Sequence, residues 1–423
     1  MIEATGGPLD AQQQIERNYR WNFAVNTLDG ASFTFGMSFF SSSIILPLFV
    51  SHFSSDPVVI GLISFLGWAG VLLPQLFTAN LVERAPYKKF FPVTLGFFLE
   101  RLPIFLFAPM TFFLANGQPI LTLVLFFVLY TWHNVGAGLV AVGWQDMIAK
   151  VFPVEKRGRF FGVSNFLGNA TGILGALAVP LVLDRYPFPL GYVYAFAATG
   201  GLIFLSWVFL SLTREPPVYS AKPAVSQMDY LRTLPDVLRS DRNFRTYLLA
   251  QILFALGWMA NGFLAVYCAQ TWNLPDAQAG ALLIALQVGK APAYLIFGSL
   301  GDRKGHKRNI EVCFGLCILL VALAITAPNP MWFYAIFFLV GAVQAGAYLS
   351  GSAIVYEFTS AENRPTYIGL ANTIPGIATT IAPLIGGWLA RAAGYRAMFV
   401  VSLAFAVASW ALIHFGVREP RKM

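Results

Sequence analysis

The sequence predicts an all-α polytopic membrane protein, twelve transmembrane helices arranged as two pseudo-symmetric six-helix bundles. Three observations carry this: an apolar composition with few charges, apolar runs of helical length, and an internal repeat near half the chain. Of the 423 residues, 57% are hydrophobic and 11% charged, where soluble domains carry roughly 25% charge. So few charges cannot cover the two or three soluble domains of about 150 residues that this length would otherwise hold. The apolar content excludes a disordered chain, and three cysteines in so long a sequence exclude a disulfide scaffold.

Only helices and closed barrels cross a bilayer without stranding peptide groups. Barrel strands read as alternating segments of about ten residues, whereas this chain has continuous apolar runs such as 120–142 and 200–212. A helix needs about 20 such residues to span. Charged residues, prolines and glycines cut the first half into spans 1 to 6, at 22–50, 57–82, 90–115, 119–149, 160–183 and 190–212. Spans 7 to 12 follow at 244–272, 276–301, 309–327, 330–356, 366–391 and 394–416. The expected organisation is a tail at 1–21, a bundle at 22–213, a linker at 214–243, a second bundle at 244–416 and a tail at 417–423.

All but five of the 28 lysines and arginines fall in one set of alternate loops and tails, the exceptions being Arg101, Arg185, Lys290, Arg391 and Arg396. Cytoplasmic loops are the basic ones, so both termini are expected in the cytoplasm and the protein in the cell membrane. The same bias explains the net charge of +8 through anionic headgroups, without nucleic acid. The first twenty residues are polar and lack the apolar core of a cleavable signal.

The halves repeat. Gly61, Gly70, Leu76, Leu81, Glu83, Arg84, Lys88 and Lys89 align without gaps on Gly280, Gly289, Leu295, Leu300, Asp302, Arg303, Lys307 and Arg308. Arg157, Gly162 and Asn165 match Arg364, Gly369 and Asn372, and Arg214-Glu215-Pro216 matches Arg418-Glu419-Pro420. Duplication of six helices in parallel orientation suits secondary transporters, whose substrate site lies near mid-membrane.

On these residues the chain resembles the major facilitator superfamily over nearly its whole length. The most specific element, Gly298-Ser-Leu-Gly-Asp302-Arg303-Lys-Gly305-His-Lys307-Arg308, is similar to the family's signature loop between helices 8 and 9. The first-half copy around Glu83 and Arg84 replaces both glycines and lengthens the acid. Ala382-Pro383-Leu-Ile-Gly386-Gly387 in span 11 resembles the family's Gly/Pro motif, while span 5 has no counterpart of the motif found in proton-driven drug antiporters. The resemblance implies that the signature charges latch the cytoplasmic gate. The expected pairs are Arg84 with Asp146 and Arg303 with Glu357, against the bland reading of solvated headgroup contacts worth about 0 to 1 kcal/mol each.

Ionisable residues inside the membrane carry the most information, because each costs about 2.5 to 3.5 kcal/mol to insert. Asn22, Asn26, Asp29, Ser32 and Gly36 share one face of span 1. Asp29 is expected either to exchange a proton, as acids in the family's helix 1 often do, or to form a buried structural pair. Lys290 lies near mid-span with Gln287 and Tyr294 on its face, and its first-half counterpart is Val71. It needs an anion, which is Asp29, Glu100 or a carboxylate or phosphate on the substrate. Glu100 and Arg101 in span 3 read as structural pairing with adjacent helices, since neighbours on a helix point about 100° apart. His133 and Asn134 in span 4 are read as core hydrogen bonders or a proton relay.

Asn165, Asn169, Gln251, Trp258, Asn261, Gln344, Tyr348, Asn372 and Thr379 complete the expected lining, although each alone reads as a helix–helix hydrogen bond. Cys268, Cys313 and Cys317 lack the histidines of a metal site, and the chain carries no phosphate-binding loop, nucleophile elbow or metalloprotease motif. No metal, cofactor or enzymatic activity is expected. The reading is a monomeric secondary active transporter of a small organic solute, polar or anionic by preference, working by alternating access and drawing on a proton gradient. Its rivals are an exporter of lipophilic or cationic drugs and a non-transporting receptor or assembly factor of the same fold.

Overall fold

The structure is a computed structural model that describes residues 11–85, 87–216, 238–358 and 364–420. Among these residues there is no strand. The first half forms α1 (Ala11–Ser38), α2 (Pro57–Arg84), α3 (Phe90–Leu114), α4 (Pro119–Val151), α5 (Val154–Arg185) and α6 (Leu190–Ser211). The second forms α7 (Arg242–Trp272), α8 (Leu282–Lys304, after a single turn at Asp276–Gly280), α9 (His306–Thr326) and α10 (Trp332–Phe358). A last run, Arg364–Ala411, holds α11 and α12, separated at Gly394 by a φ of 84° that only glycine adopts freely. Ten described segments are apolar enough to cross a membrane. Separating α11 from α12, and adding α1, whose polar stripe lowers its hydropathy, makes twelve.

Helix ends follow local chemistry. Pro119 opens α4, where its missing N–H costs nothing. Asp241 caps α7, its Oδ1 accepting from Phe244 N at 2.8 Å. Two breaks fall inside expected spans. Span 1 ends as a helix at Ser38 and resumes at Ile45–Ser51, and α7 passes through a 3₁₀ turn at Trp258–Gly262. The α1 helix also begins eleven residues before the expected 22, because its amphipathic start is helical outside the apolar stretch.

The chain divides into two compact units. Unit 1 is Met1–Phe40, Ala69–Gly175 and Tyr186–Ala224. Gly138 of α4 faces the backbone of α2, where an added Cβ would lie 2.5 Å from the Gly70 carbonyl oxygen. Met147, Ile148, Val151, Phe152, Phe160 and Leu210 form a buried core at its basic end. Unit 2 is Ser41–Trp68, Ala176–Arg185 and Val225–Met423, so it includes the non-basic ends of α2 and α5. There Gly61 meets the Pro383 carbonyl and Gly387 the Pro57 carbonyl. Two ion pairs sit beside these contacts, His52–Asp276 at 2.6 Å and Asp56–Arg391 at 3.4 Å. Large apolar side chains such as Ile120, Leu295 and Phe415 stay 77–80% exposed, as a lipid-facing surface requires.

The repeated Arg-Glu-Pro ends have a structural use in both units. In unit 1, Asn22 Nδ2 donates to the Arg214 carbonyl and Arg214 N to Asn22 Oδ1, both at 2.9 Å. In unit 2, Asn243 and Arg418 repeat the exchange at 3.1 and 2.7 Å. The Glu215 carboxylate, 1% exposed, accepts from the backbone N–H of Lys88 and of Lys89, each at 2.8 Å, and from Lys150 Nζ at 2.7 Å. It thereby pins the start of α3 to the ends of α4 and α6. Burial pulls the Lys89 ammonium below the usual lysine range, and the Glu215 charge opposes that shift. Glu215→Gln keeps the shape but removes the charge behind three hydrogen bonds. It is expected to cost about 1.5 to 3 kcal/mol, read as a lowered thermal midpoint in detergent, and an unchanged midpoint would refute the pinning role.

Candidate functional site

A cluster of ionisable side chains lies inside unit 1. Residues 90–95 and 97–101 of α3 are π-helical, the wider turn that recurs at functional positions. This geometry corrects the expectation for Glu100 and Arg101. Rather than pairing with adjacent helices, they pair with each other, Arg101 Nη1 donating to Glu100 Oε2 at 2.7 Å. Both are buried, and Arg101 Nε has no partner. His133 of α4 reaches the same turn, with Nδ1 2.7 Å from the Glu100 carbonyl oxygen. A carbonyl only accepts, so Nδ1 carries the proton.

Asp29 stands 6% exposed on α1, its Oδ1 accepting from Ser206 Oγ of α6 at 2.5 Å, and it feels the charges of both Arg101 and Glu100. With His133 neutral, the cluster holds two carboxylates against one guanidinium. Asn22 and Asn26 of the α1 stripe are consumed in packing. Asn26 Nδ2 donates to the Asn22 carbonyl at 2.8 Å and its Oδ1 accepts from Thr213 Oγ1 at 3.3 Å. Asn134 Nδ2 donates back to the Tyr130 carbonyl at 2.8 Å. Asn165 of α5 is exposed, and its carbonyl accepts from half-buried Asn169 at 2.7 Å.

Unit 2 holds the remaining candidates. Half-buried Lys290 of α8 makes no ion pair among the described residues, with Gln287 buried and Tyr294 half-buried near it in sequence. In the 3₁₀ turn of α7, Asn261 Oδ1 is buried without a hydrogen-bond partner. An orphaned acceptor where a transmembrane helix breaks is what a ligand donor satisfies. Trp258, in the same turn, stacks on Phe254 at 5.8 Å. Gln251 Nε2 donates to the Tyr247 hydroxyl at 2.7 Å, and Thr379 Oγ1 to the Pro375 carbonyl at 3.0 Å. Gln344 is half-buried, while Tyr348 and Asn372 are exposed. Cys268, Cys313 and Cys317 are buried free thiols.

Of the expected latch pairs, Arg84 with Asp146 lies outside the described residues. The side chains of Glu83, Arg84 and Asp302 lie outside the described residues. Asp146 faces Lys88, whose Nζ is 3.4 Å away and also reaches the Val82 carbonyl. Arg303 is exposed and makes no ion pair among the described residues, so the pairing with Glu357 is not formed. Gly305 adopts a φ of 89° with the Glu419 carboxylate against it, 2.6 Å from where a Cβ would stand. Around Gly298 the space is open to 4 Å. Ser206 and Glu215 were missed. The repeated Arg-Glu-Pro triplet was the available signal for Glu215, whereas nothing in the sequence singles out one serine on an apolar helix.

The sequence model of the Major Facilitator Superfamily matches residues 28–249 and 247–423. An uncharacterized MFS-type transporter of Methanocaldococcus jannaschii is 23% identical over 61% of this chain and 63% of its own length. The niacin transporter of Acinetobacter baylyi is 26% identical over 34% of this chain and 35% of its own. The matches thus span less than two thirds of either relative. Among solved structures, a nucleoside transporter superposes with a TM-score of 0.72 at 13% identity, covering 96% of this chain and 99% of that one. A D-xylose-proton symporter gives 0.68 at 14% identity, covering 95% and 98%. At such identities the likeness is one of fold.

Proposed function

Since the chain belongs to the Major Facilitator Superfamily, a family of multi-pass membrane transporters of small molecules rather than of enzymes, we propose that it is a proton-coupled secondary active transporter of a small polar or anionic solute. It works by alternating access, as a monomer in the cell membrane, with both termini in the cytoplasm and no cofactor beyond the proton gradient. The observation that carries this reading is the Asp29–Ser206–Glu100–Arg101–His133 cluster. Two buried carboxylates facing one guanidinium leave a negative charge that the membrane interior penalises. A proton on a carboxylate or on His133 neutralises it, so the cluster holds a proton in one state and releases it in another.

Lys290 supports an anionic solute. Glu100 and Asp29 have their partners within unit 1, so a carboxylate or phosphate on the substrate is the anion left for it. Asn261 Oδ1 supplies an acceptor for a donor on the same solute. Nicotinate, a small aromatic carboxylate, is the first probe by likeness to the niacin transporter, in a panel with nucleosides and D-xylose. Proteoliposomes loaded with unlabelled nicotinate should take up radiolabelled nicotinate by counterflow. Lys290→Ala should weaken half-saturation about tenfold or more, the loss of a charge-assisted contact. If no panel member exchanges, transport of this class of solute is refuted, and binding without flux would favour the receptor reading.

A further inference from the structure

Unit 2 holds a charged site of its own, at the basic ends of α8, α9 and α12. There a cavity of about 350 Å³ is lined by Lys304, Lys307, Arg308, Glu311, His414 and Glu419. Glu311 is buried at its centre, 3.0 Å from Lys307 Nζ, 2.9 Å from Arg308 Nη1 and 3.5 Å from His414 Nδ1. Three permanent cations thus face two carboxylates, and a protonated His414 adds a fourth, so the lining is net cationic. Lys304 and Arg308 are exposed at its rim. The His414 ring stacks on Trp410 at 5.0 Å, and the neighbouring Phe415 ring is 80% exposed. A basic pocket at a helix end, bordered by an aromatic pair and an exposed apolar ring, is the arrangement that recognises a charged head on an apolar tail.

The set follows the duplicated scaffold only in part: Lys307, Arg308 and Glu419 have first-half counterparts in Lys88, Lys89 and Glu215, whereas Glu311 and Lys304 do not. At the spacing that matches Lys88 to Lys307, Glu311 falls on Pro92 and Lys304 on Ala85. At the spacing that matches Arg157 to Arg364, Lys150 falls on Glu357. In the first half Lys150 neutralises Glu215. In the second half an acid stands in that place, while an excess of cations gathers around an open cavity. Packing shared by the halves does not require this difference.

We propose that the cavity binds a phosphate-bearing anion, its phosphate held by Lys304, Lys307 and Arg308. The chemistry is shared by the headgroup of an anionic phospholipid and by free phosphate. The full-length protein in a neutral detergent, followed by thermal unfolding, distinguishes them. Short-chain phosphatidylglycerol and inorganic phosphate are titrated separately, with short-chain phosphatidylcholine as the zwitterionic control.

Stabilisation by phosphatidylglycerol but not by inorganic phosphate assigns the site to lipid, and equal stabilisation by both assigns it to free phosphate. Lys304→Ala removes an exposed cation that makes no ion pair among the described residues. It should weaken the apparent affinity about fivefold, as should Arg308→Gln, which leaves Lys307 on Glu311. No stabilisation of the wild type by either anion overturns the proposal. So does a response in both variants equal to that of the wild type, or stabilisation by phosphatidylcholine equal to that by phosphatidylglycerol.

Discussion

Asp29→Asn is expected to abolish concentrative uptake driven by a pH gradient while leaving counterflow intact. The amide keeps the size of the carboxyl and the contact with Ser206 Oγ, yet carries no exchangeable charge. One proton moving down a gradient of one pH unit supplies about 1.4 kcal/mol, enough for about tenfold accumulation of a co-transported solute. The wild type should therefore reach about that ratio, and the variant should equilibrate near unity. Counterflow needs only reorientation of the loaded carrier, so it should persist within about twofold. Equal accumulation in both proteins would remove Asp29 from the coupling path. Ser206→Ala provides the graded comparison, since it deletes one hydrogen bond and no charge, and it should shift the pH dependence of uptake without eliminating it.

The second large effect concerns folding. Gly289 of α8 lies so close to the backbone of α10 that an added Cβ would stand 2.8 Å from the Phe338 carbonyl carbon, with the oxygen nearer still. Gly341 of α10 makes the converse approach to the Leu286 carbonyl. Helices in lipid associate through such close packing, because the apolar surroundings offer no hydrophobic drive. Gly289→Leu must force the helices apart or fail to insert between them, at a cost of about 3 kcal/mol or more when the backbone cannot yield. The expected result is loss of the monodisperse peak in fluorescence-detected size-exclusion chromatography. Gly201→Ala on α6, with nothing within 4 Å of the added Cβ, should behave as wild type. A monodisperse Gly289→Leu protein would contradict the packing account.

The residues that announced themselves in the sequence did so through physics that acts over single helices. Apolar run length placed the spans, and matched glycines carried the repeat through to the structure, where Gly70 and Gly289 serve equivalent helix contacts in their own units. Asp29, Lys290 and His133 stood out because a charge or an imidazole in an apolar run is costly. Partner choice was not legible, because it depends on which helices meet and at what turn. Arg101 chose its own neighbour Glu100 through a π-helical widening that no composition rule marks. Asp146 meets Lys88, because the Lys88 side chain reaches back to the Val82 carbonyl. The break in α7 at Trp258–Gly262 was equally hidden, for a residue such as Asn261 reads as an ordinary polar position until its acceptor proves unpartnered.

Proton movement accompanying solute flux tests the coupling account most directly. Proteoliposomes enclosing a pH-sensitive dye are given an inward gradient of nicotinate, or of whichever panel solute exchanges, with no imposed pH gradient. Protein-free liposomes set the baseline for passive entry. The wild type should acidify the lumen faster than that baseline, and Asp29→Asn should not, although it still admits the solute. Solute entry through the wild type with no acidification above baseline, or acidification undiminished in Asp29→Asn, would contradict coupling through the buried cluster of α1, α3, α4 and α6.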